Sequence, residues 1–119
     1  MPEPLILVVD DDISILQTVT SILALEGYAV ETATNGREAL DKLKRARPTL
    51  VLLDMRMPIM DGWGFAREMK ARGETVPIVV MTAAQDAHRW ASEIGAAAYV
   101  PKPFEVPDLL DTVERFQQG

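Results

Sequence analysis

Five side chains that could act together on a phosphate group stand directly after apolar segments of this sequence. They are Asp10, Asp11, Asp54, Thr82 and Lys102. If the three carboxylates converge, they repel one another, and the pKa of one of them rises unless a cation lies among them. Oxygen ligands of this kind suit Mg²⁺, which takes one or two carboxylates, keeps several waters and leaves room for a phosphate. Lys102 would add a positive charge and Thr82 a hydrogen bond for phosphate oxygens. A carboxylate in such a setting can attack a phosphoryl group and form an acyl phosphate.

The apolar segments before these residues predict the strands of a parallel sheet. Short apolar or β-branched runs predict strands at 5–9, 28–32, 50–53, 77–81 and 97–100. Helical spacing predicts helices at 13–26, from 35 to before 48, from 61 to 73, at 86–94 and at about 107–117. Strands that alternate with helices pair in parallel through right-handed crossovers. We therefore predict an α/β fold, a three-layer (βα)5 flavodoxin-like sandwich with sheet order 2-1-3-4-5. The strand order is the common one for this pattern and does not follow from periodicity alone.

The totals of the chain set its class. With 119 residues, 48% apolar and 25% charged, residues 1–119 are expected to form one domain. The absence of cysteine excludes disulfides and thiolate zinc sites. A net charge of −6 argues against direct nucleic-acid binding by this chain. Because we find no secretory signal and no apolar run of about 20 residues, we expect a cytoplasmic protein without a membrane segment.

Four motifs carry a resemblance to a known family. They are VVDDD (8–12), LLDMRMPIMDG (52–62), VMTA (80–83) and GAAAYVPKPF (95–104). In this order and spacing they resemble the response-regulator receiver domains of two-component signalling, and the chain is similar to chemotaxis regulators that are little more than a receiver. The resemblance implies that Asp54 is phosphorylated by a sensor histidine kinase or a phosphotransfer protein. It also implies that Asp11 ligates Mg²⁺ directly, Asp10 acts through a metal-bound water, and Arg56 offers its backbone carbonyl.

The same resemblance implies a switch. Thr82 would move onto the phosphoryl oxygens, Lys102 would pair with them, and Tyr99 would turn inward when Thr82 moves. The output would be a changed face built by the fourth helix, fifth strand and last helix, through which the protein acts on a downstream target or a missing output domain as a monomer or weak dimer. The family further implies a cis peptide at Lys102–Pro103. The sequence leaves the lifetime of the phosphoryl group open, because Arg56 and Ala84 stand at positions that influence it.

Three alternative functions are less consistent with these residues. A phosphatase with an aspartyl nucleophile would need an acid two residues after Asp54, where Arg56 stands. A degenerate receiver acting as a phosphorylation-independent binding module is the alternative, although every expected site residue is present. A flavodoxin-like electron carrier lacks its Ser/Thr-rich phosphate loop after the first strand.

Several nearby residues are expected to have structural roles. Asp12, Asn35 and Asp61 are predicted to cap helices. Arg56 is expected to point its side chain to solvent across the mouth of the site, and His88 is expected to be solvated. Trp90 is predicted to be partly exposed, because its helix is the least apolar of the five.

Overall fold

The computed structural model describes residues 4–117, so residues 1–3 and 118–119 of the predicted domain lie outside the described residues. Its centre is a sheet of five parallel strands with the order β2-β1-β3-β4-β5. The strands are β1 (Leu5–Val9), β2 (Ala29–Ala33), β3 (Leu50–Leu53), β4 (Ile78–Ala83) and β5 (Ala98–Lys102). Both the strand count and the predicted order are confirmed.

Five helices cover the two faces of this sheet. They are α1 (Ile13–Leu25), α2 (Gly36–Ala46), α3 (Gly62–Ala71), α4 (Ala84–Ile94) and α5 (Val106–Arg115). Successive side chains of a strand point to opposite faces, and β1 shows this directly. Leu7 and Val9 pack in a cluster with α2, α3 and α4, whereas Ile6 and Val8 pack in a second cluster with α1 and α5. The result is the predicted three-layer sandwich, and it explains why the central strands are apolar without alternation.

Side-chain caps begin three of the helices where the sequence predicted them. Asp12 accepts hydrogen bonds from the backbone amides of Ser14 and Ile15 at the start of α1. Asn35 accepts from the amide of Glu38 at the start of α2, and Asp61 accepts from the amide of Gly64 at the start of α3. Each cap satisfies an amide that lacks a partner within its own helix.

The predicted boundaries differ from the structure by one or two residues at several ends. The last strands continue two residues further than predicted, because Thr82 pairs with Pro101 and Ala83 with Lys102 in register. The helix predicted at 86–94 begins instead at Ala84, directly after β4, and no side chain caps it.

The prediction that Trp90 is partly exposed is wrong. Its side chain is only 6% exposed and belongs to the core cluster beneath α2, α3 and α4. The indole packs edge-on against Trp63 of α3, with 4.9 Å between the ring centroids. The prediction gave more weight to the polar composition of α4 as a whole than to its apolar stripe, of which the structure buries Ala87, Trp90 and Ala91. Among the described residues, none of the helices has the length and apolar character that crossing a bilayer requires.

Candidate functional site

The carboxyl ends of the central strands bring the acidic residues together. Asp10 follows β1, and its backbone amide donates to Ala33 O at the end of β2. Asp54 follows β3, and its amide donates to Val9 O at the end of β1. These two bonds extend the sheet by one residue and place both carboxylates on rigid backbone. Sites at this edge of a parallel sheet are the usual ligand sites of such folds.

The carboxylates of Asp10, Asp11 and Asp54 converge as the sequence predicted. One oxygen from each lies within 4.8 Å of the others. Asp10 is 1% exposed and Asp54 8% exposed, whereas Asp11 faces solvent. Two buried negative charges beside a third are unfavourable unless positive charge compensates them. The group therefore has the chemistry of a site for a hard divalent cation.

Lys102 supplies part of that compensation. Its Nζ lies 2.6 Å from Asp10 Oδ2 and 3.6 Å from Asp54 Oδ1. The other oxygen of Asp10, Oδ1, accepts a hydrogen bond from the backbone amide of Asp12 at 2.9 Å. Both oxygens of Asp10 are thus engaged by the protein itself. The Lys102–Pro103 peptide that follows is cis, which confirms that prediction.

The pKa of Asp54 is raised by this arrangement. Burial is the main cause that raises its pKa to about 6, and the neighbouring charge of Asp10 adds to the increase. Lys102 lowers the pKa, Asp11 raises it slightly, and a hydrogen bond from the backbone of Met55 lowers it. The protein alone therefore leaves the Asp54 carboxylate undercompensated. A bound cation would favour the ionised form, so the residues present fit a metal site.

Thr82 and Tyr99 lie on β4 and β5, the last two strands of the sheet. Thr82 is buried near the carboxyl end of β4. Tyr99 pairs in register with Val80, two residues before Thr82, so Thr82 and Tyr99 stand on the same face of the sheet. The Tyr99 side chain is 40% exposed, and its ring lies edge-on to His88 of α4 with 5.8 Å between centroids. His88 is exposed, as expected.

Arg56 is exposed, but its side chain has a partner that the sequence analysis missed. Its guanidinium carbon lies 5.0 Å from the centroid of the Trp90 indole, a distance typical of a cation–π contact. The residues are 34 positions apart, and no local pattern connects them. The one available signal is that Trp90 falls on the apolar stripe of its helix, and that signal does not identify Arg56 as its partner.

The loop between β3 and α3 is held to the site by close backbone contacts. The amide of Gly62 donates to Met55 O at 2.9 Å, and the amide of Gly36 at the start of α2 donates to Met60 O at 2.8 Å. A Cβ at Gly62 would come within 2.6 Å of Met55 Sδ and 3.0 Å of Asp54 O. Glycine is therefore required where this loop passes the acidic residue.

Comparison with known proteins defines the class to which this fold and site belong. The family model for the response regulator receiver domain matches residues 6–114. This chain belongs to that family.

Among curated relatives, the response regulator MprA of Mycolicibacterium vanbaalenii is 41% identical over 107 residues, which cover 88% of this chain and 46% of that protein. MprA of Mycobacterium avium is 39% identical over 107 residues, which cover 88% of this chain and 47% of that protein. The chain thus spans about half the length of the curated relatives it matches.

Solved structures agree with the assignment. The chemotaxis protein CheY4 of Vibrio cholerae has a TM-score of 0.86 and 35% identity, with 97% of this chain and 99% of that chain covered. The receiver domain of NtrX from Brucella abortus has a TM-score of 0.86 and 30% identity, with 96% and 99% covered.

Proposed function

We propose that Asp54 accepts a phosphoryl group from a phosphohistidine of a sensor histidine kinase or a phosphotransfer protein. The observation that carries this proposal is the setting of Asp54. It is a buried carboxylate at the end of a central strand, 3.6 Å from the Lys102 ammonium and within 4.8 Å of an oxygen of each of two further acids. A nucleophile held on a rigid strand edge beside a fixed positive charge is suited to phosphoryl transfer, in which positioning and charge neutralisation do most of the work.

In the transfer, an Asp54 carboxylate oxygen attacks the phosphorus atom. The new bond is the O–P bond of an acyl phosphate, and the bond that breaks is the P–N bond of the phosphohistidine. The electron pair of the broken bond remains on the imidazole nitrogen, which leaves as part of the donor protein. The Lys102 ammonium lies beside Asp54 and can form an ion pair with one phosphoryl oxygen. The Thr82 hydroxyl can donate a hydrogen bond to another.

Asp10, Asp11, Asp54 and the carbonyl of Arg56 are the groups that would hold Mg²⁺. When bound, the cation supplies charge neutralisation for the incoming phosphoryl group. Asp11 is the carboxylate most available for direct ligation, because no hydrogen bond or ion pair engages it within residues 4–117. Asp10 is better suited to an indirect role through water, since Lys102 and the Asp12 amide already use its oxygens.

The consequence of phosphorylation would be a population shift in the face formed by α4, β5 and α5. Thr82 moving towards the phosphoryl group would open space on its face of the sheet, and Tyr99 would turn inward from its exposed position. The chain would then act as a signalling module on a downstream target or an output domain, as a monomer or a weak dimer through that face. Residues 1–119 would form one receiver domain.

Intact mass after incubation with acetyl phosphate and Mg²⁺ tests the proposal. We expect one added phosphoryl group in the natural sequence and none in Asp54→Asn. Asp12→Asn is the matched control, because Asn caps a helix as well as Asp does and Asp12 lies outside the acidic group. Failure of the natural sequence to gain mass from a competent donor would overturn the proposal and favour a phosphorylation-independent binding module.

A further inference from the structure

The indole of Trp90 is a buried side chain of α4 whose orientation is set by its packing against α3. It is buried, and it packs edge-on against Trp63 at 4.9 Å with an interplanar angle of 70°. Trp63 is itself held, because its Nε1 donates a hydrogen bond to Glu93 Oε1 of α4 at 2.9 Å. The orientation of the Trp90 ring is therefore set by contacts between α3 and α4 before any ligand binds.

The guanidinium of Arg56 packs on the Trp90 ring. Its backbone lies two residues beyond Asp54, in a segment fixed by the hydrogen bonds of Asp54 to Val9 O and of Gly62 to Met55 O. Its side chain is exposed and long enough to take more than one position. In the structure the guanidinium lies over the Trp90 ring at 5.0 Å, and within residues 4–117 it forms no ion pair with a carboxylate.

This position matters because Arg56 stands two residues after Asp54, which belongs to the acidic group with Asp10 and Asp11. An unrestrained guanidinium near them would be attracted to the site, and more strongly once the single negative charge of the Asp54 carboxylate is replaced by the roughly two charges of an acyl phosphate. The cation–π contact opposes that attraction. Arg89 also lies over the same ring, at 5.8 Å, but Asp86 holds it through an ion pair at 2.7 Å.

We propose that Trp90 is a positioning residue that holds the Arg56 guanidinium away from the acceptor and thereby sets how long the phosphoryl group survives on Asp54. The inference rests on the proposed function. A freed guanidinium would pair with phosphoryl oxygens and lie across the mouth of the site, where the hydrolytic water must enter in line with the Asp54 oxygen. The O–P bond would then be hydrolysed more slowly to the free Asp54 carboxylate and inorganic phosphate.

A double-mutant cycle on dephosphorylation tests this role. The protein is phosphorylated with acetyl phosphate and Mg²⁺, the donor is removed, and the decay of the phosphorylated mass is followed with time. We expect Trp90→Leu to slow the decay roughly two- to fivefold, the range expected for loss of an exposed cation–π contact. Trp90→Phe, which keeps an aromatic face, should stay closer to the natural rate.

The second arm of the cycle separates positioning from packing. In an Arg56→Met background, which keeps the aliphatic stem and removes the charge, Trp90→Leu should leave the decay rate unchanged. Arg89→Met is the matched control, because it removes the other guanidinium over the same ring and should leave the decay rate as in the natural sequence. An equal effect of Trp90→Leu with and without Arg56 would overturn the inference, since it would show that Trp90 acts through packing alone.

Nuclear magnetic resonance of the unphosphorylated protein provides a readout that does not depend on turnover. Arg56 side-chain protons above the indole should be shifted upfield by the ring current, and this shift should disappear in Trp90→Leu. Absence of the shift in the natural sequence would contradict the contact on which the inference depends. If the natural sequence takes up no phosphoryl group, the proposed function fails. If it takes up the group but the effects of Trp90→Leu and Arg56→Met on the decay rate are additive, only the role given to Trp90 is contradicted.

Discussion

At the scale of single residues, the ionised carboxylate of Asp54 lowers the free energy of unfolding. A carboxylate that is buried beside Asp10 and Asp11 favours its protonated form, and one nearby ammonium compensates it only in part. The folded protein therefore binds a proton at Asp54 more tightly than the unfolded chain does. By linkage, this residue contributes less to stability as the pH rises through its folded pKa.

Replacing Asp54 by Asn should stabilise the cation-free protein at neutral pH. Well below pH 3.8 the carboxyl is neutral in both states, so the substitution should change the free energy of unfolding little there. Between the unfolded pKa of 3.8 and the folded value of about 6, the natural residue becomes progressively unfavourable. Above pH 6 the advantage of Asn should reach an upper bound of about 3 kcal/mol.

Urea unfolding in EDTA at several pH values measures this difference. Asp12→Asn serves as the control, because it changes the charge by the same amount outside the acidic group. An Asp54→Asn advantage that does not depend on pH between 4 and 7 would show that the ionised carboxylate is not the source of the cost.

At the scale of elements, the loop between β3 and α3 determines how Asp54 is presented. The loop passes so close to the strand end that Gly62 has no room for a side chain. Its amide donates to Met55 O, and the neighbouring carbonyl of Met60 accepts from Gly36 in α2. The loop therefore joins the acceptor strand to two helices, and a change in its path would move the backbone of Asp54.

Gly62→Ala should destabilise the fold. The added Cβ would meet Met55 Cα at 2.8 Å and Asp54 O at 3.0 Å, and backbone atoms cannot yield as a flexible side chain can. Overpacking of this kind typically costs about 1–3 kcal/mol. Gly64→Ala is the control two residues later. The closest atoms to its Cβ would be side-chain atoms, Met60 Cγ at 3.1 Å and Asp61 Oδ1 at 3.4 Å.

Chemical denaturation of both variants distinguishes the two glycines. We expect Gly64→Ala to be nearly neutral, because alanine is favoured over glycine in a helix by about 1 kcal/mol and offsets a small adjustment of Met60. Equal losses in the two variants would contradict the argument that the Gly62 contact with the Asp54 backbone is the cause.

At the scale of the whole molecule, the parallel sheet assembles a site from distant parts of the chain. Asp10 and Lys102 are separated by 92 positions, yet their side chains meet at 2.6 Å. The acidic group forms only when β1 and β3 are in register, and Lys102 joins it only when β5 lies at the same edge of the sheet. Any cation that binds this group therefore binds the folded state in preference to the unfolded chain, and binding must raise the free energy of unfolding.

Mg²⁺ should stabilise the natural sequence against unfolding, and its removal by EDTA should reverse the effect. At a free concentration ten times the dissociation constant, the gain should be about 1.4 kcal/mol. Asp11→Asn should lose most of this gain, because it removes the carboxylate most available to the ion. Urea unfolding with and without Mg²⁺ measures the effect, and Asp12→Asn should retain it. A gain of equal size in Asp11→Asn would place the ion elsewhere on the protein.

Much of the fold could be predicted from the sequence because its signals are local. Apolar runs without alternation predicted the strands, and the caps at Asp12, Asn35 and Asp61 lie where expected. The predicted ends of β4 and β5 were less accurate, because hydrogen bonding between the two strands determines where each of them ends. The continuation of β4 to Ala83 and of β5 to Lys102 depends on mutual hydrogen bonding, which neither segment reveals alone.

The sequence by itself determined which groups stand at the carboxyl ends of the strands, and it therefore predicted the meeting of Asp10, Asp11, Asp54 and Lys102. The tertiary structure decided the environment of those groups: the burial that raises the pKa of Asp54, the engagement of both Asp10 oxygens, and the packing of Arg56 on a buried Trp90. The physical reason is that strand periodicity and chain direction fix where a residue stands along an element, whereas desolvation and side-chain contacts depend on atoms brought in from elsewhere in the chain.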